Sequence, residues 1–193
     1  MDHDEARSRL LDTAERLFYE RGVQAVGMDE LRAASGVSLK RLYQCFPSKS
    51  ELVEGYLRRR DERWRAALSD HVDRHGATAQ DRLLAVFDWL HAWCAAPGFR
   101  GCAFINSFGE LGSVSDGVAG AARDHKRAVR EYVADLADDL RVDDPAALAD
   151  QLLLLIDGAI TTAAISGDPA AARHAQVAAG TLITCAPRRP ATA

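Results

Sequence analysis

The segment GVSLKRLYQCF, residues 36–46, contains side chains suited to contacts with nucleic acid. Lys and Arg donate hydrogen bonds to phosphate oxygens, while Arg and Gln pair bidentately with the edges of guanine and adenine. The apolar residues expected to face the core in this segment are Leu39, Leu42 and Phe46. At about 100° per residue, that orientation leaves Lys40, Arg41 and Gln44 on the solvent side, with Tyr43 near the margin. An ordinary solvated helix has the same composition, so the polar face alone is consistent with either interpretation.

Three helices are predicted to position this segment. The first should end at Gly22, a residue able to adopt the left-handed cap. The second begins near Met28 and ends at Gly36, and Ser38 is the N-cap of the third. Two short helices joined by a glycine-containing turn form a helix-turn-helix, whose second helix enters the major groove. Apolar residues recur at steps of three and four along the whole chain, so the predicted fold class is all-α.

The stretch from Arg7 to Glu54 resembles the N-terminal domain of the TetR family of transcriptional regulators. The resemblance rests on the pattern A..LF...G in the first helix, on ASGVS before the third helix, on LY..F within it and on SK..L after it. It implies an N-terminal three-helix helix-turn-helix domain followed by a larger helical ligand-binding and dimerisation domain, with about nine helices in all. The boundaries expected are 1–48 for the DNA-binding domain, 49–75 for a long connecting helix, 76–187 for the ligand-binding and dimerisation domain, and 188–193 for a flexible tail.

The sequence also departs from the usual family residues. Met28 lacks the threonine hydroxyl that would cap the second helix and touch phosphate, and Lys40 and Arg41 replace a pair that is usually small. The resemblance implies phosphate contacts for Tyr43 and Lys49, while the helix geometry assigns the cations and the amide of the third helix to bases or phosphates. The predicted DNA-contacting residues are Arg32, Ser38, Lys40, Arg41, Tyr43, Gln44 and Lys49. Arg32 is equally consistent with a solvated charge that contacts no DNA.

Two C-terminal segments, 148–165 and 172–185, are predicted helices that resemble the dimerising pair of the family. The first is apolar on more than one face, and a helix that is apolar on most of its circumference is buried on most of it. The extra face would pack either inside the protein or against a second copy. The resemblance favours a homodimer built through a four-helix bundle. The residues predicted at that interface are Leu148, Leu152, Leu155, Ile156, Ala159, Ile160, Ala163, Val177 and Leu182.

The middle segment, residues 82–108, combines aromatic side chains with a few polar groups, as small-molecule pockets do. Aromatic residues at helical spacing are also typical of a plain core, and the resemblance to the family favours a pocket for a small-molecule effector. The residues predicted to line it are Trp89, Trp93, Phe99, Cys102, Phe104, Asn106 and Phe108. Cys102 follows Arg100 at a predicted helix start, where a dipole and a cation lower a thiol pKa. A switch by oxidation or electrophiles is therefore an alternative to a small buried residue.

The overall composition sets further limits on function. The formal net charge is −4, so contacts with nucleic acid must be local. Neither a run of about 18 apolar residues nor a secretory signal occurs, which predicts a cytoplasmic chain with reduced cysteines and no membrane span. The sequence contains no nucleophile elbow, Gly-rich phosphate loop or H-E-x-x-H motif. We therefore expect no enzymatic activity, no cofactor and no metal site.

Together these patterns predict a ligand-responsive repressor. One helix-turn-helix contacts only a few base pairs, so a homodimer on a pseudo-palindromic operator in double-stranded DNA is expected. Effector binding is expected to move the long fourth helix and so mismatch the two recognition helices with the grooves. The repressor sign follows from the resemblance, and an activator stays open. The competing class, a helical small-molecule-binding protein without DNA specificity, leaves the first 54 residues unexplained.

Overall fold

The computed structural model describes residues 2–189, and that part of the chain is built from helices. The helices are α1 (His3–Arg21), α2 (Met28–Ser35), α3 (Leu39–Cys45), α4 (Lys49–His75), α5 (Ala79–Cys94), α6 (Ala103–Leu111), α7 (Asp116–Asp138), α8 (Pro145–Ser166) and α9 (Ala170–Cys185). Apart from an isolated bridge between Val142 and Arg188, residues 2–189 form no β-structure. The predicted all-α fold with a three-helix N-terminal domain is confirmed.

The ends of the first three helices follow from local sequence. Asp2 caps α1 by accepting a hydrogen bond of 2.8 Å from the Glu5 backbone N–H, and Gly22 ends it at φ +86°. Helix α2 starts without a side-chain cap, because its N-cap residue is Gly27, whereas the sequence analysis placed the missing hydroxyl at Met28. Ser38 caps α3, because its Oγ accepts a hydrogen bond from the Arg41 backbone N–H. These caps separate α2 from α3 and so form the helix-turn-helix.

One compact unit consists of the residues up to Arg63 together with Ala103–His125. Within it α1 packs against both α2 and α3. The side chains that fill its core include Leu10, Ala14, Leu31, Leu42, Leu52 and Leu57. Complete burial of a leucine side chain contributes about 1.5–3 kcal/mol, so this small core is sufficient to hold α3 in a defined orientation.

Ion pairs also join α1 to the first half of α4. Glu15 on α1 lies 3.1 Å from Arg60 and 3.1 Å from Arg63, and Arg59 lies 3.4 Å from the same carboxylate. Arg60 also stacks over the Tyr19 ring at 4.1 Å from its centroid. The first half of α4 is therefore held to α1 both by ion pairs and by a cation–π contact.

The second compact unit consists of Trp64–Cys102 together with the residues from Lys126 onwards. Here α5 packs on α8 and α9, and α8 packs along α9. The Arg188 guanidinium donates to the Leu140 carbonyl at 2.6 Å, and the Arg189 backbone N–H donates to the Arg141 carbonyl at 2.8 Å. The first two residues of the predicted flexible tail are thus tied to the end of α7, and the others lie outside the described residues.

Helix α8 is apolar over most of its surface. By length and composition it would be able to cross a membrane, whereas the sequence analysis expected no such helix. Core helices of soluble proteins pass the same test, and in this protein α8 packs against α5 and α9. Its apolar character is accounted for in part by that packing and in part by an exposed face described below.

Candidate nucleic-acid interface

The exposed side of α3 carries four side chains in one arc. Leu39 and Tyr43 are 47% and 46% exposed, and Lys40 and Gln44 are also exposed. At about 100° per residue, these four residues succeed one another within roughly 140° of the helix circumference. Leu42 points away from them and is fully buried. We call Leu39, Lys40, Tyr43 and Gln44 the recognition arc.

The recognition arc differs from the predicted one at three positions. Leu39 is exposed rather than part of the core, and Arg41 is half-buried at the margin. The reason lies at Phe46, which was counted as part of the helical stripe. Phe46 is the C-cap with φ −143° and ψ 97°, so its buried side chain does not follow the helical angle. Leu42 is then the one buried residue of α3, and Tyr43 is exposed rather than marginal.

The other predicted DNA-contacting residues lie near this arc in the chain. Arg32 is exposed in the last turn of α2, and Ser38 is exposed at the start of α3, where its hydroxyl is engaged in capping. Lys49 is the first residue of α4 and is half-buried. Burial lowers the pKa of the Lys49 ammonium, and the nearby Glu110 carboxylate acts to raise it. An ammonium at this helix start can donate to a phosphate oxygen.

Glu110 on α6 binds the loop between α1 and α2, a contact that sequence reasoning missed. Its carboxylate accepts hydrogen bonds from the backbone N–H groups of Val23 at 3.0 Å and Gln24 at 2.6 Å. The Gln24 side chain returns a hydrogen bond of 2.9 Å to the Glu110 carbonyl. Because the partners are 86 and 87 residues apart, no local pattern in the sequence signals the contact. Helix α6 is thereby fastened to the helix-turn-helix within the same unit.

Three of the predicted pocket residues form an aromatic cluster in the second unit. Trp89 stacks with Trp93 at 5.5 Å between ring centroids, and Phe99 meets Trp93 edge-on at 5.0 Å. Trp64 on α4 completes the cluster, with its ring 4.7 Å from that of Trp89. All four rings are half-buried, so the cluster is partly open to solvent. Trp64 was absent from the predicted pocket, although it lies on the apolar side of α4.

The remaining predicted pocket residues have other surroundings. Cys102 is buried at the end of the second unit's N-terminal segment. Phe104 belongs to the first unit, where its ring stacks on His125 at 3.7 Å, and His125 in turn contacts Asp61 at 2.7 Å. The two exposed members, also in the first unit, are Asn106 and Phe108.

The cysteines show no feature that favours the thiol switch. Burial raises the pKa of the Cys94 thiol to about 11, so this side chain stays protonated at neutral pH. Cys102 is 6% exposed, which restricts access by oxidants or electrophiles. Cys185 is exposed at the end of α9. The alternative in which Cys102 is the regulatory group is therefore not favoured.

The predicted interface residues of α8 and α9 fall into two groups. Those buried within the protomer are Leu148, Leu152, Ile156, Ala159, Ile160 and Ala163. Leu155 and Leu182 are half-buried, and Val177 is 74% exposed. Leu154 and Ile165, which were not included, are 76% and 84% exposed. They lie about 180–200° around α8 from the buried stripe, so helical angles alone would have identified them.

Comparison with known proteins extends the similarity beyond the recognition helix. The sequence profile of bacterial regulatory proteins of the tetR family matches residues 10–56. The crystal structure of SCO4454, a TetR-family transcriptional regulator from Streptomyces coelicolor, is 30% identical in sequence, has a TM-score of 0.85, and covers 94% of this chain and 95% of its own. This chain belongs to the TetR family of transcriptional regulators.

Other TetR-family members give partial matches. The HTH-type transcriptional activator FasR of Mycolicibacterium smegmatis is 46% identical over 59 residues, which are 31% of this chain and 27% of FasR. The HTH-type transcriptional repressor NemR of Escherichia coli K12 is 26% identical over 129 residues, covering 66% of this chain and 64% of NemR. The chain thus aligns with less than a third of FasR and just under two thirds of NemR. The TetR family consists of transcriptional regulators rather than enzymes.

Proposed function

We propose that this chain is a DNA-binding transcriptional repressor that acts as a homodimer and responds to a small-molecule effector. The observation that carries the proposal is the recognition arc of α3, which presents Lys40, Gln44, Tyr43 and Leu39 together on an otherwise mildly acidic protein. Membership in the TetR family supports DNA as the partner of this arc. Arg41, at the edge of the arc, and Lys49, at the start of α4, suit phosphate contacts that fix the position of the helix on the duplex.

The homodimer is supported by the exposed apolar face of α8 and α9. Leu154 and Ile165 on α8 and Val177 on α9 are each more than 70% exposed. A groove on the same face is lined by Leu154, Leu155, Gly158 and Thr162 of α8 and by Ala171, His174, Ala175 and Ala178 of α9. We name this surface the dimer face. Its small residues permit close approach of a second copy. In a twofold dimer the same apolar side chains would be buried on both copies.

The aromatic cluster is the proposed effector site. Three indole rings and a phenyl ring, all partly open to solvent, suit a flat apolar or aromatic molecule. Trp64 lies on α4, the same helix that begins with Lys49, so a molecule bound at the cluster would bias the position of a helix that reaches the DNA-binding residues. The effector would then favour a spacing of the two recognition helices that differs from the 34–36 Å of successive major grooves.

The repressor sign is supported by the extent of the two named matches. The match with the activator FasR covers 59 residues, whereas the match with the repressor NemR covers 129 residues. Because the sign of regulation depends on more than the DNA-reading domain, the longer match is the better guide. A cytoplasmic location is proposed on the same basis as the DNA partner.

The proposal is tested by DNA binding with the purified full-length chain. Fragments of DNA flanking its gene should give a specific complex whose association constant falls steeply with salt, because phosphate contacts release counterions. A labelled fragment of shuffled sequence is the control. If neither the free protein nor the protein incubated with a panel of aromatic compounds binds the flanking DNA more tightly than shuffled DNA, the proposed function fails.

The effector site has an independent assay. The chain contains three tryptophans, and all of them belong to the aromatic cluster. A planar aromatic compound that binds there should quench most of the intrinsic tryptophan fluorescence. In a Trp93→Leu variant, the affinity measured from the remaining two tryptophans should fall at least tenfold. A compound that dissociates the DNA complex without changing the fluorescence would place the effector site elsewhere.

A further inference from the structure

Leu39 is the feature of the recognition arc that ordinary solvation does not explain. It is the first residue of α3 and is 47% exposed, although the pattern of the sequence predicted it to be buried. Isolated apolar side chains on a protein surface are common and need no explanation. Leu39 is not isolated, because Tyr43 follows it by one helical turn and is equally exposed. The two form an apolar ridge beside the polar side chains Lys40 and Gln44.

The location of Leu39 limits what this ridge can contact. In a helix-turn-helix, the N-terminal residues of the second helix approach the base edges, and later residues and flanking segments approach the backbone. Leu39 holds the first position of that helix and does not pack in the core of its own unit. A phosphate or a deoxyribose hydrogen-bond acceptor offers nothing to an aliphatic side chain. The edges of the bases in the major groove present a single apolar group, which is the C5 methyl of thymine.

We propose that Leu39 reads a thymine, through contact with its 5-methyl group, at one position in each half of the DNA site. The inference rests on the proposed DNA-binding function and names the base that this function selects. Burial of one methyl group is worth about fourfold in affinity, so the contact contributes to specificity rather than to most of the binding. Leu39 also lacks a hydrogen-bonding group, so discrimination by this residue is independent of salt, unlike that by Lys40.

The test begins with selection of bound sequences from a random pool of duplex DNA. The wild type should enrich a pseudo-palindrome with a fixed T·A pair in each half, and Leu39→Ala should enrich the same sequence with that pair degenerate. Leu39→Met keeps an apolar side chain of similar reach and should retain the thymine. Val114→Ala truncates another exposed aliphatic residue, outside α3, and should select the wild-type sequence.

The second step removes only the methyl group. Each thymine of the enriched duplex is replaced in turn by uracil, which keeps the base pair and its hydrogen-bonding edge. Replacement at the position read by Leu39 should weaken wild-type binding about fourfold per half-site and leave binding of Leu39→Ala unchanged. This coupling between one side chain and one methyl group would not arise if Leu39 had a merely structural role.

The negative results distinguish failure of the inference about Leu39 from failure of the proposed function. If uracil weakens the wild type at no position, or weakens Leu39→Ala by the same factor, the inference about Leu39 is overturned while the proposed function stands. An enriched sequence without a fixed thymine would also overturn the inference about Leu39 and leave the proposed function standing. If the wild type enriches no sequence at all, the proposed function itself fails and the reading of thymine falls with it.

Discussion

The recognition arc of α3 and the dimer face of α8 and α9 are both uncovered in the single chain, yet they differ in chemistry. The recognition arc places an aliphatic and an aromatic side chain beside a cation and an amide. The dimer face has Leu154, Ile165 and Val177 as its most exposed large side chains, with alanine and glycine between them. The first surface is half polar, and the second is mainly apolar, with Thr162 and His174 as polar members.

This difference indicates a different partner for each surface. Lys and Gln lose hydrogen bonds to water on binding. Only a partner that supplies acceptors, as phosphates and base edges do, replaces these hydrogen bonds. Apolar side chains gain about 25 cal/mol for each Å² removed from water, and a second identical face provides that environment. Exposed apolar residues clustered on one face mark sites of association. The predictions below alter one surface while leaving the other intact.

Substitution in the dimer face should have the largest effect. Leu154→Asp combined with Val177→Asp introduces four carboxylates into a twofold interface, and the dimer should dissociate to monomers in analytical ultracentrifugation. Loss of the second recognition helix removes its effective concentration, so affinity for the selected DNA should fall between about 100-fold and 10 000-fold, or about 3–5 kcal/mol.

The control for this variant is Val114→Asp, which adds a carboxylate at an equally exposed aliphatic position outside α8 and α9. It should remain dimeric and bind the selected DNA with unchanged affinity. Both variants should keep the helical circular dichroism of the wild type, because the residues are exposed. If Leu154→Asp with Val177→Asp stays dimeric, the contrast between the two surfaces is wrong, and the copies associate through another face.

The sequence predicted the helix-turn-helix more completely than it predicted the dimer face, and the reason is physical. Helix ends depend on residues a few positions apart, so Gly22, Gly36 and Ser38 were sufficient to define α1, α2 and α3. The direction in which a helix faces depends on the whole core. Leu39 was placed inside because Phe46 was counted as helical, whereas the chain becomes extended at that residue.

Local sequence patterns do not predict contacts between distant parts of the chain or contacts with a second copy. The stripe from Leu148 to Ala163 was recognised as buried, but periodicity carries no information on whether the neighbour is the same chain or a second copy. Most of that stripe packs in the protomer. The contact of Glu110 with Val23 and Gln24 joins distant parts of the chain and was not predicted at all.

A pair of leucines in α3 tests the orientation of the recognition arc. Leu42→Ala should lower the free energy of unfolding by about 3 kcal/mol, because it leaves a cavity under the helix. Leu39→Ala, the matched truncation on the exposed side, should change it by less than about 0.5 kcal/mol. Urea denaturation followed by circular dichroism measures both. Similar losses for the two variants would mean that Leu39 packs in the core and does not face DNA.

Removal of the Glu110 carboxylate tests whether α6 holds the loop between α1 and α2 in place. In Glu110→Ala the backbone N–H groups of Val23 and Gln24 lose their acceptor, which should cost about 1–2 kcal/mol because the first hydrogen bond is part-buried and the second is exposed. Hydrogen exchange at these two amides should accelerate. Glu62→Ala, at an exposed glutamate of α4, is the control and should leave both amides unchanged. Equal exchange in all three proteins would show that the loop is held by other contacts.

The smallest effects should separate the two kinds of contact within the DNA-facing surface. Lys49→Ala should weaken binding to selected and to shuffled DNA alike, by about 1 kcal/mol, and reduce the slope of log K against log salt by about one. Lys40→Ala should reduce the preference for the selected sequence, because Lys40 lies in the recognition arc at the end that approaches base edges. Arg41 is half-buried at the margin, so Arg41→Ala should behave like Lys49→Ala. A change of sequence preference in Arg41→Ala would mean that α3 is rotated on the DNA toward Arg41, and Leu39 would then lie too far from the bases to contact a methyl group.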